Sequence, residues 1–255
     1  MQPHQNAGAV YALIASEFSR TRYSHWNKVK LFIQSLNKYS TLLDVGCGNG
    51  KYTSVRNDLT YIGCDITKEL LSHAQHLSKT STFTFTSHPD FFQVSCECER
   101  LPIRNETADA VICIAVLHHI TSYAARVKAV RNLLKAMRAH DGQGQGQAMV
   151  TVWAYEQLNT KKRDTKWKRL HPEETDYLVP WHSQTEDKKI HWRFYHLFTY
   201  DECVRLCEDV TSATSPGTLM MTYSIEYELD NWVMTYKPSQ KSMSASQFSC
   251  AKSPE

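Results

Sequence analysis

Apolar residues in the first part of the chain recur at three- and four-residue spacing: Val10, Leu13 and Ile14, then Val29, Phe32, Ile33 and Leu36. That spacing predicts helix over 9–36, interrupted by a polar hinge at 19–24. Short, unbroken apolar runs follow at 41–45, 60–64, 91–94, 110–114 and 147–153, each of strand length. Amphipathic helical stretches lie between them near 67–77 and 125–137, the second with Val127, Val130, Leu134 and Met137 along one side. Buried-type strands alternating with helices predict a parallel sheet covered on both faces. The pattern then breaks. Residues 155–191 are polar, basic and rich in Trp and His, without clear periodicity, and read as an insertion over an active site rather than a second domain. A helix near 200–208 and two strands near 219–224 and 229–236 follow, close enough for an antiparallel hairpin on the sheet edge. From 238 to 255 the chain carries six serines and is expected to be disordered. One α/β domain is expected over 1–237: a doubly wound, seven-stranded, mostly parallel sheet with a terminal antiparallel strand and an active-site insertion.

Composition narrows this only a little. With 255 residues, 42% of them hydrophobic and 22% charged, the chain is long enough for one well-buried domain. No apolar run approaches the roughly 20 residues that span a bilayer, so no membrane association is expected. The first ten residues lack a basic stretch followed by an apolar core, so no signal peptide is read and the cytoplasm, with the nucleus second, is the expected compartment. None of the eight cysteines forms a C-x-x-C pair. Cys203 and Cys207 are four apart on a helix and can ligate a metal, but core packing is the commoner reason for such thiols, and no metal is expected. The net charge of +3 is concentrated. Lys161, Lys162, Arg163, Lys166, Lys168 and Arg169 lie within nine residues, and Arg126, Lys128, Arg131, Lys135 and Arg138 form a stretch without an acid. Such clusters on a near-neutral chain suit either a polyanionic partner or a solvated face.

The sharpest chemical signal is Asp44-Val-Gly-Cys-Gly-Asn-Gly50, at the end of the 41–45 strand. Glycines there let the backbone turn tightly and approach a ligand. The spacing is G-x-G-x-G rather than the dinucleotide G-x-G-x-x-G, and Asp44 precedes it. A carboxylate there would repel a pyrophosphate but can receive the ammonium of an amino acid. Asp65 closes the next strand, where an acid accepts from both hydroxyls of a ribose. Together these features resemble the Rossmann-like class I methyltransferases that use S-adenosylmethionine. The resemblance implies a cofactor site containing Asp44, Gly46, Gly48 and Asp65, with Glu97 toward adenine (Glu99 as the alternative) and Ala115 along the methionine.

Further segments resemble one family, the eukaryotic tRNA wobble-uridine methyltransferases that esterify 5-carboxymethyluridine. They are Phe18-Ser-Arg-Thr-Arg-Tyr23, Ile114-Ala-Val-Leu-His-His119, Trp153-Ala-Tyr-Glu-Gln157, Val179-Pro-Trp181, Arg193-Phe-Tyr-His-Leu197 and Asp230-Asn-Trp232, in the family's order. The resemblance implies a tRNA anticodon loop as substrate and a small zinc-binding activator subunit as partner in a heterodimer. Phe83, Phe85, Phe91 and Phe92 surround the third strand, an edge strand in this fold, and an apolar open edge calls for a cover. The activator is expected there.

Chemistry agrees with the resemblance. A carboxylate is already ionised at neutral pH, so esterifying it requires no base. It requires alignment, which a cation supplies by holding one oxygen. Arg22, His118, His119, Arg193 and His196 are the cations expected beside the mouth, with Arg22 and His118 as the catalytic pair. From a strand only one of His118 and His119 should face the pocket, with His118 preferred. Tyr23, Trp153, Trp181 and Tyr195 are expected to stack on an unpaired base, with Glu156 and His119 completing the substrate set. The competing readings are a class I methyltransferase for a small-molecule or lipid carboxylate, and a cofactor-binding regulatory scaffold.

Overall fold

The computed structural model describes residues 7–21, 24–80, 91–95, 97–138, 146–158, 160–171, 174–184, 188–212 and 220–239. Helices α1 (Ala7–Thr21) and α2 (Asn27–Gln34) lead into five parallel strands. These are β1 (Thr41–Val45), β2 (Thr60–Asp65), β3 (Phe91–Ser95), β4 (Ala110–Ile114) and β5 (Gln147–Trp153). Helix α3 (Lys68–Thr80) links β2 to β3, and α4 (Tyr123–Ala136) links β4 to β5.

Residues along the central strands alternate between two cores, as strand geometry demands. Leu43, Val111, Cys113, Val150 and Val152 pack with Val130 and Leu133 of α4. Their neighbours Leu42, Ala110, Ile112 and Met149 pack with Val29, Phe32 and Ile33 of α2. Burial on both faces explains why these strands read as unbroken apolar runs. Each fully buried Leu or Ile contributes roughly 1.5–3 kcal/mol, so the sheet centre is the rigid platform on which the site stands.

A helix α6 (Tyr200–Thr211) and the hairpin β9 (Met221–Glu228) and β10 (Asn231–Pro238) complete the domain. Sheet order is β3-β2-β1-β4-β5-β10-β9, with β10 antiparallel to β5. The order reverses between β1 and β4, which opens a crevice at their carboxyl ends. Among the described residues β3 pairs with β2 alone, at the register Phe91↔Tyr61 and Phe92↔Ile62. Phe83 and Phe85 lie outside the described residues; of the tail expected over 238–255, Pro238 instead ends β10 and the residues from 240 onward lie outside the described residues.

The 155–191 stretch is not aperiodic. After a short helix α5 (Lys161–Lys166) it forms an antiparallel sheet of β6 (Lys168–Arg169), β7 (Asp176–His182) and β8 (Ile190–His196), which carries the insertion on past 191. Tyr177, Val179, Tyr195 and Leu197 are its buried core, packed against Trp153, Tyr155 and Trp167. Pro180 argues against a strand from sequence, yet it sits opposite Trp192, past the two β7 residues that β6 pairs, where no donor is required.

Cys203 and Cys207 are buried core thiols, Cys207 Sγ lying 3.2 Å from the Tyr236 hydroxyl. Among the described residues no group of three His, Cys, Asp or Glu is placed to hold a metal ion, and no helix is long and apolar enough to cross a membrane.

Candidate active site

The turn after β1 is built from left-handed glycines. Gly46 has φ 78°, and a Cβ there would lie 2.1 Å from Val116 Cγ2. Gly48 has φ 54°, but a Cβ on it would meet nothing within 4 Å. Gly46 is therefore fixed by close packing, whereas Gly48 opens a backbone cradle onto empty space. The amides of Gly46 and Cys47 donate to the Cys64 carbonyl at 2.7 and 3.0 Å, tying the turn to the end of β2. Asp65 completes the cradle. Its two oxygens accept from the Gly48 and Thr67 amides, each at 2.8 Å.

This cradle is the floor of a cavity of about 710 Å³ bounded by α1, the ends of β1, β2 and β4, and β8. Asp44 and Asp65 are both buried in its wall. Burial lifts the Asp44 carboxyl to about 7, although the Tyr61 hydroxyl donates to it; the nearby Asp65 charge adds to the rise. Burial also raises Asp65, against the pull of its amide donors. Two acids whose charge is disfavoured by their surroundings stand ready for a ligand that brings positive charge and hydroxyl donors.

The opposite end carries the reverse charge. Arg193 of β8 is 5% exposed. Its Nη1 donates to the Tyr11 hydroxyl at 3.4 Å, its Nε has no partner, and no carboxylate among the described residues pairs with it. The guanidinium instead lies over the rings of Trp181 and Tyr195, each 5.2 Å away. Burial disfavours its charge, but the Tyr195 and Tyr11 oxygens outweigh that and hold it above the usual range. His118 and His119 sit beside it on the turn Leu117–His119. Burial drives the His118 pKa well below the usual value, aided by the charges of His119 and Arg193. His119 falls to about 4, again through burial. His118 stacks on Tyr195 at 4.5 Å and leaves Nδ1 without a partner. A buried cation lacking a counter-ion, next to neutral imidazoles, is a receptor for one anionic group.

Residues 43–139 match the methyltransferase domain family. The tRNA (carboxymethyluridine(34)-5-O)-methyltransferase of Schizosaccharomyces pombe is 30% identical over 240 residues, covering 88% of this chain and 92% of that protein. The chain belongs to this methyltransferase family. The Xenopus tropicalis member alkbh8 is 30% identical over 249 residues and covers 80% of this chain, but the chain spans only 37% of that protein's length. Among solved structures, a methyltransferase in complex with the Haloferax volcanii Trm112 methyltransferase activator superposes with a TM-score of 0.60 at 11% identity, covering 93% of this chain and all of that one. The fold is that of the class I methyltransferases, in which such a cavity takes S-adenosylmethionine.

In this member of the family, eleven of the expected site residues line the one cavity: Asp44, Gly46, Gly48, Asp65, Glu97, Ala115, His118, His119, Trp153, Arg193 and Tyr195. Ala115 adopts φ 59°, a strained backbone held by two hydrogen bonds from its amide to Thr151. Arg22 and Tyr23 lie outside the described residues, between Thr21 and Ser24 of the cavity wall.

Four expectations are corrected. His196 lies outside the cavity, with Nδ1 2.5 Å from Asp176 and Nε2 2.7 Å from Glu202. Side chains alternate along β8, so a residue next to Tyr195 points the other way. Glu156 also misses the cavity; it accepts from Trp232 Nε1 and from the Tyr200 amide at the start of α6. Trp181 does not line the cavity: the Arg193 guanidinium lies 5.2 Å from its ring, and its Nε1 donates to Glu17 at 3.1 Å. His118 and His119 both line the cavity because they sit on a tight turn, not a strand, and both are neutral; of the cations expected at the mouth, Arg193 is the one the described residues place there, with Lys51 lining the cofactor end near Asp44. Sequence reasoning missed Tyr11 and Glu17 of α1. Their helix was legible by its apolar spacing, but nothing local marks which polar face meets β7 and β8.

Proposed function

We propose that the chain methylates the carboxylate of 5-carboxymethyluridine at the wobble position of tRNA, using S-adenosylmethionine and producing the methyl ester. The observation that carries this reading is Arg193: a buried guanidinium, without an acid partner among the described residues, at the far end of the cofactor cavity. The family's reaction has a substrate with one carboxylate, the group that such a cation receives.

The residues fit the cofactor. The open Gly48 cradle admits a close-lying chain, Asp44 can receive an ammonium, and each Asp65 oxygen keeps accepting capacity for ribose hydroxyls. When bound, S-adenosylmethionine supplies an electrophilic methyl group. The protein's part is alignment. Arg193 holds the carboxylate, and the neutral histidines do not compete for it as cations. Trp153 and Tyr195 line the cavity as an aromatic wall against which the base that carries it can lie; their rings pack against each other at 4.6 Å and leave no slot between them. No proton has to move, so no general base is required.

The basic α5–β6 segment supports a tRNA partner. Lys161, Lys166, Lys168 and Arg169 are exposed, and Trp167 between them stacks on Trp153 of the cavity wall at 5.8 Å. In the 126–138 cluster three of the five cations are engaged within the fold, while Lys128 and Lys135 are exposed. Arg126 is buried against Glu202, Arg131 donates to the Asp209 carbonyl, and Arg138 pairs with Asp109. An activator subunit at the β3 edge is supported by that strand's pairing with β2 alone among the described residues and by the solved complex of the Haloferax methyltransferase, which shares the fold. Expressed alone, the chain should then be inactive or aggregate, and co-expression with an activator should rescue it.

The test uses cofactor labelled in its methyl group and tRNA from cells lacking the wobble ester. Label should enter tRNA and leave as methanol in mild alkali. Alkali-stable label, or label in lipid rather than tRNA, would overturn the reading.

A further inference from the structure

We propose that Tyr11 is a positioning residue which, together with His119, orients the Arg193 guanidinium and presents its free edge to the acceptor; this rests on the carboxylate reading above. His119 Nδ1 lies 3.0 Å from the Phe194 carbonyl oxygen, which can only accept, so Nδ1 carries the hydrogen. Burial keeps this imidazole neutral at working pH, so Nε2 is bare. The Tyr11 hydroxyl, 3.1 Å from Nε2, must therefore donate to it.

With its hydrogen committed, the Tyr11 oxygen can only accept from its other neighbours. These are the Tyr195 hydroxyl at 3.3 Å and Arg193 Nη1 at 3.4 Å. One carbonyl thus sets the direction of three hydrogen bonds across α1, the turn after β4, and β8, and the fourth, from Arg193, finds the Tyr11 oxygen free to accept. Because a guanidinium is planar, engaging Nη1 fixes the edge formed by Nε and Nη2. Nε, buried and without a partner, belongs to that edge. It is the fork that takes two carboxylate oxygens side by side. At 3.4 Å the Nη1 contact is long for a hydrogen bond.

A second tie holds α1 in place. Glu17, one and a half turns after Tyr11, accepts from Trp181 Nε1 at 3.1 Å, Ser183 Oγ at 2.6 Å and the Gln184 amide at 3.1 Å, all at the far end of β7. Loss of the Tyr11 hydroxyl alone therefore leaves the helix seated.

A double-mutant cycle tests this, run on the enzyme in whichever form, alone or with its activator, is most active. Tyr11→Phe keeps the ring and removes the hydroxyl. Turnover should fall about tenfold, the size expected for one hydrogen bond to a charged group. The KM for tRNA, calorimetric cofactor affinity and melting curve should match wild type. On an Arg193→Gln background the same substitution should cost nothing further, because its effect passes through the guanidinium. A fully active Tyr11→Phe, or a tenfold loss repeated in full on Arg193→Gln, would overturn the assignment. If wild type makes no ester at all, the carboxylate reading fails by itself, and nitrogen-15 spectra of His119 decide the relay. A neutral imidazole protonated on Nδ1 supports it, and one protonated on Nε2 refutes it.

Discussion

The two ends of the cavity solve opposite electrostatic problems with opposite materials. At the cofactor end, backbone does most of the work: left-handed glycines and amides position Asp65, and burial raises the carboxyls of both Asp44, to about 7, and Asp65. At the acceptor end, side chains from three separated segments (α1, the 117–119 turn and β8) surround one buried cation, and burial silences the two histidines beside it. The first end awaits positive charge and the second awaits negative charge. A protein that keeps both in one cavity is suited to join a cationic donor to an anionic acceptor.

The largest expected effect breaks the acceptor end alone. Arg193→Gln should lower turnover on carboxymethyl tRNA on the order of 100-fold, since a buried charged pair is lost. Calorimetric cofactor affinity should stay within about twofold, because no uniform binding is removed at the other end. Loss of both together would mean that the two ends are not independent. The mirror experiment is Asp65→Ala. Removing a charged acceptor should weaken cofactor binding by about 2 kcal/mol, roughly thirtyfold. Unchanged affinity in calorimetry would contradict the assignment.

A pH titration sharpens the contrast. Asp44 sits at about 7 in the free protein, so an ammonium-bearing ligand must find it ionised. Cofactor affinity should be full above that value and fall about tenfold by pH 6, with proton release on binding. Stability of the free protein has the opposite sign. A carboxyl raised in the folded state favours folding while protonated, and this contribution is lost as pH rises toward 7. Asp44→Asn should flatten both curves, and a pH-independent affinity in wild type would contradict the account. The smallest effect lies outside the cavity. Replacing Lys161, Lys166, Lys168 and Arg169 with serine should raise the KM for tRNA several-fold and flatten its salt dependence, leaving cofactor affinity alone.

The same two ends differ in how far the sequence reveals them. Local rules govern the cofactor end: a strand, a glycine turn and an acid at the next strand's end follow one another closely along the chain. Asp44, Gly46, Gly48 and Asp65 are therefore legible from spacing alone. The parallel strands are equally legible, with 110–114 and 147–153 correct to the residue, because burial on both faces writes an unbroken apolar run. The acceptor end is assembled from distant segments. Its strands β7 and β8 mix Tyr, Trp, His and Arg, with one face on aromatics and the other on the His196 ion network, so no clean period of two survives. The family resemblance supplied Arg193, Tyr195 and Trp153. It also supplied Glu156 and His196, which brace the scaffold instead, since a motif marks residues without saying which way they point. Tyr11 had no signal, because its role depends on a carbonyl of β8, at the other end of the chain.

The central claim is that one buried guanidinium selects a carboxylate acceptor. It is tested most directly by single-turnover methylation of two tRNAs that differ only at the wobble side chain, one a carboxymethyl group and the other its neutral amide, with alkali-released methanol and total incorporated label both counted. Wild type should methylate the carboxylate, with all label released as methanol, and leave the amide untouched, while Arg193→Gln should lose most of the rate on the carboxylate and gain none on the amide. Equal methylation of the two tRNAs, or label that alkali does not release, would contradict the account.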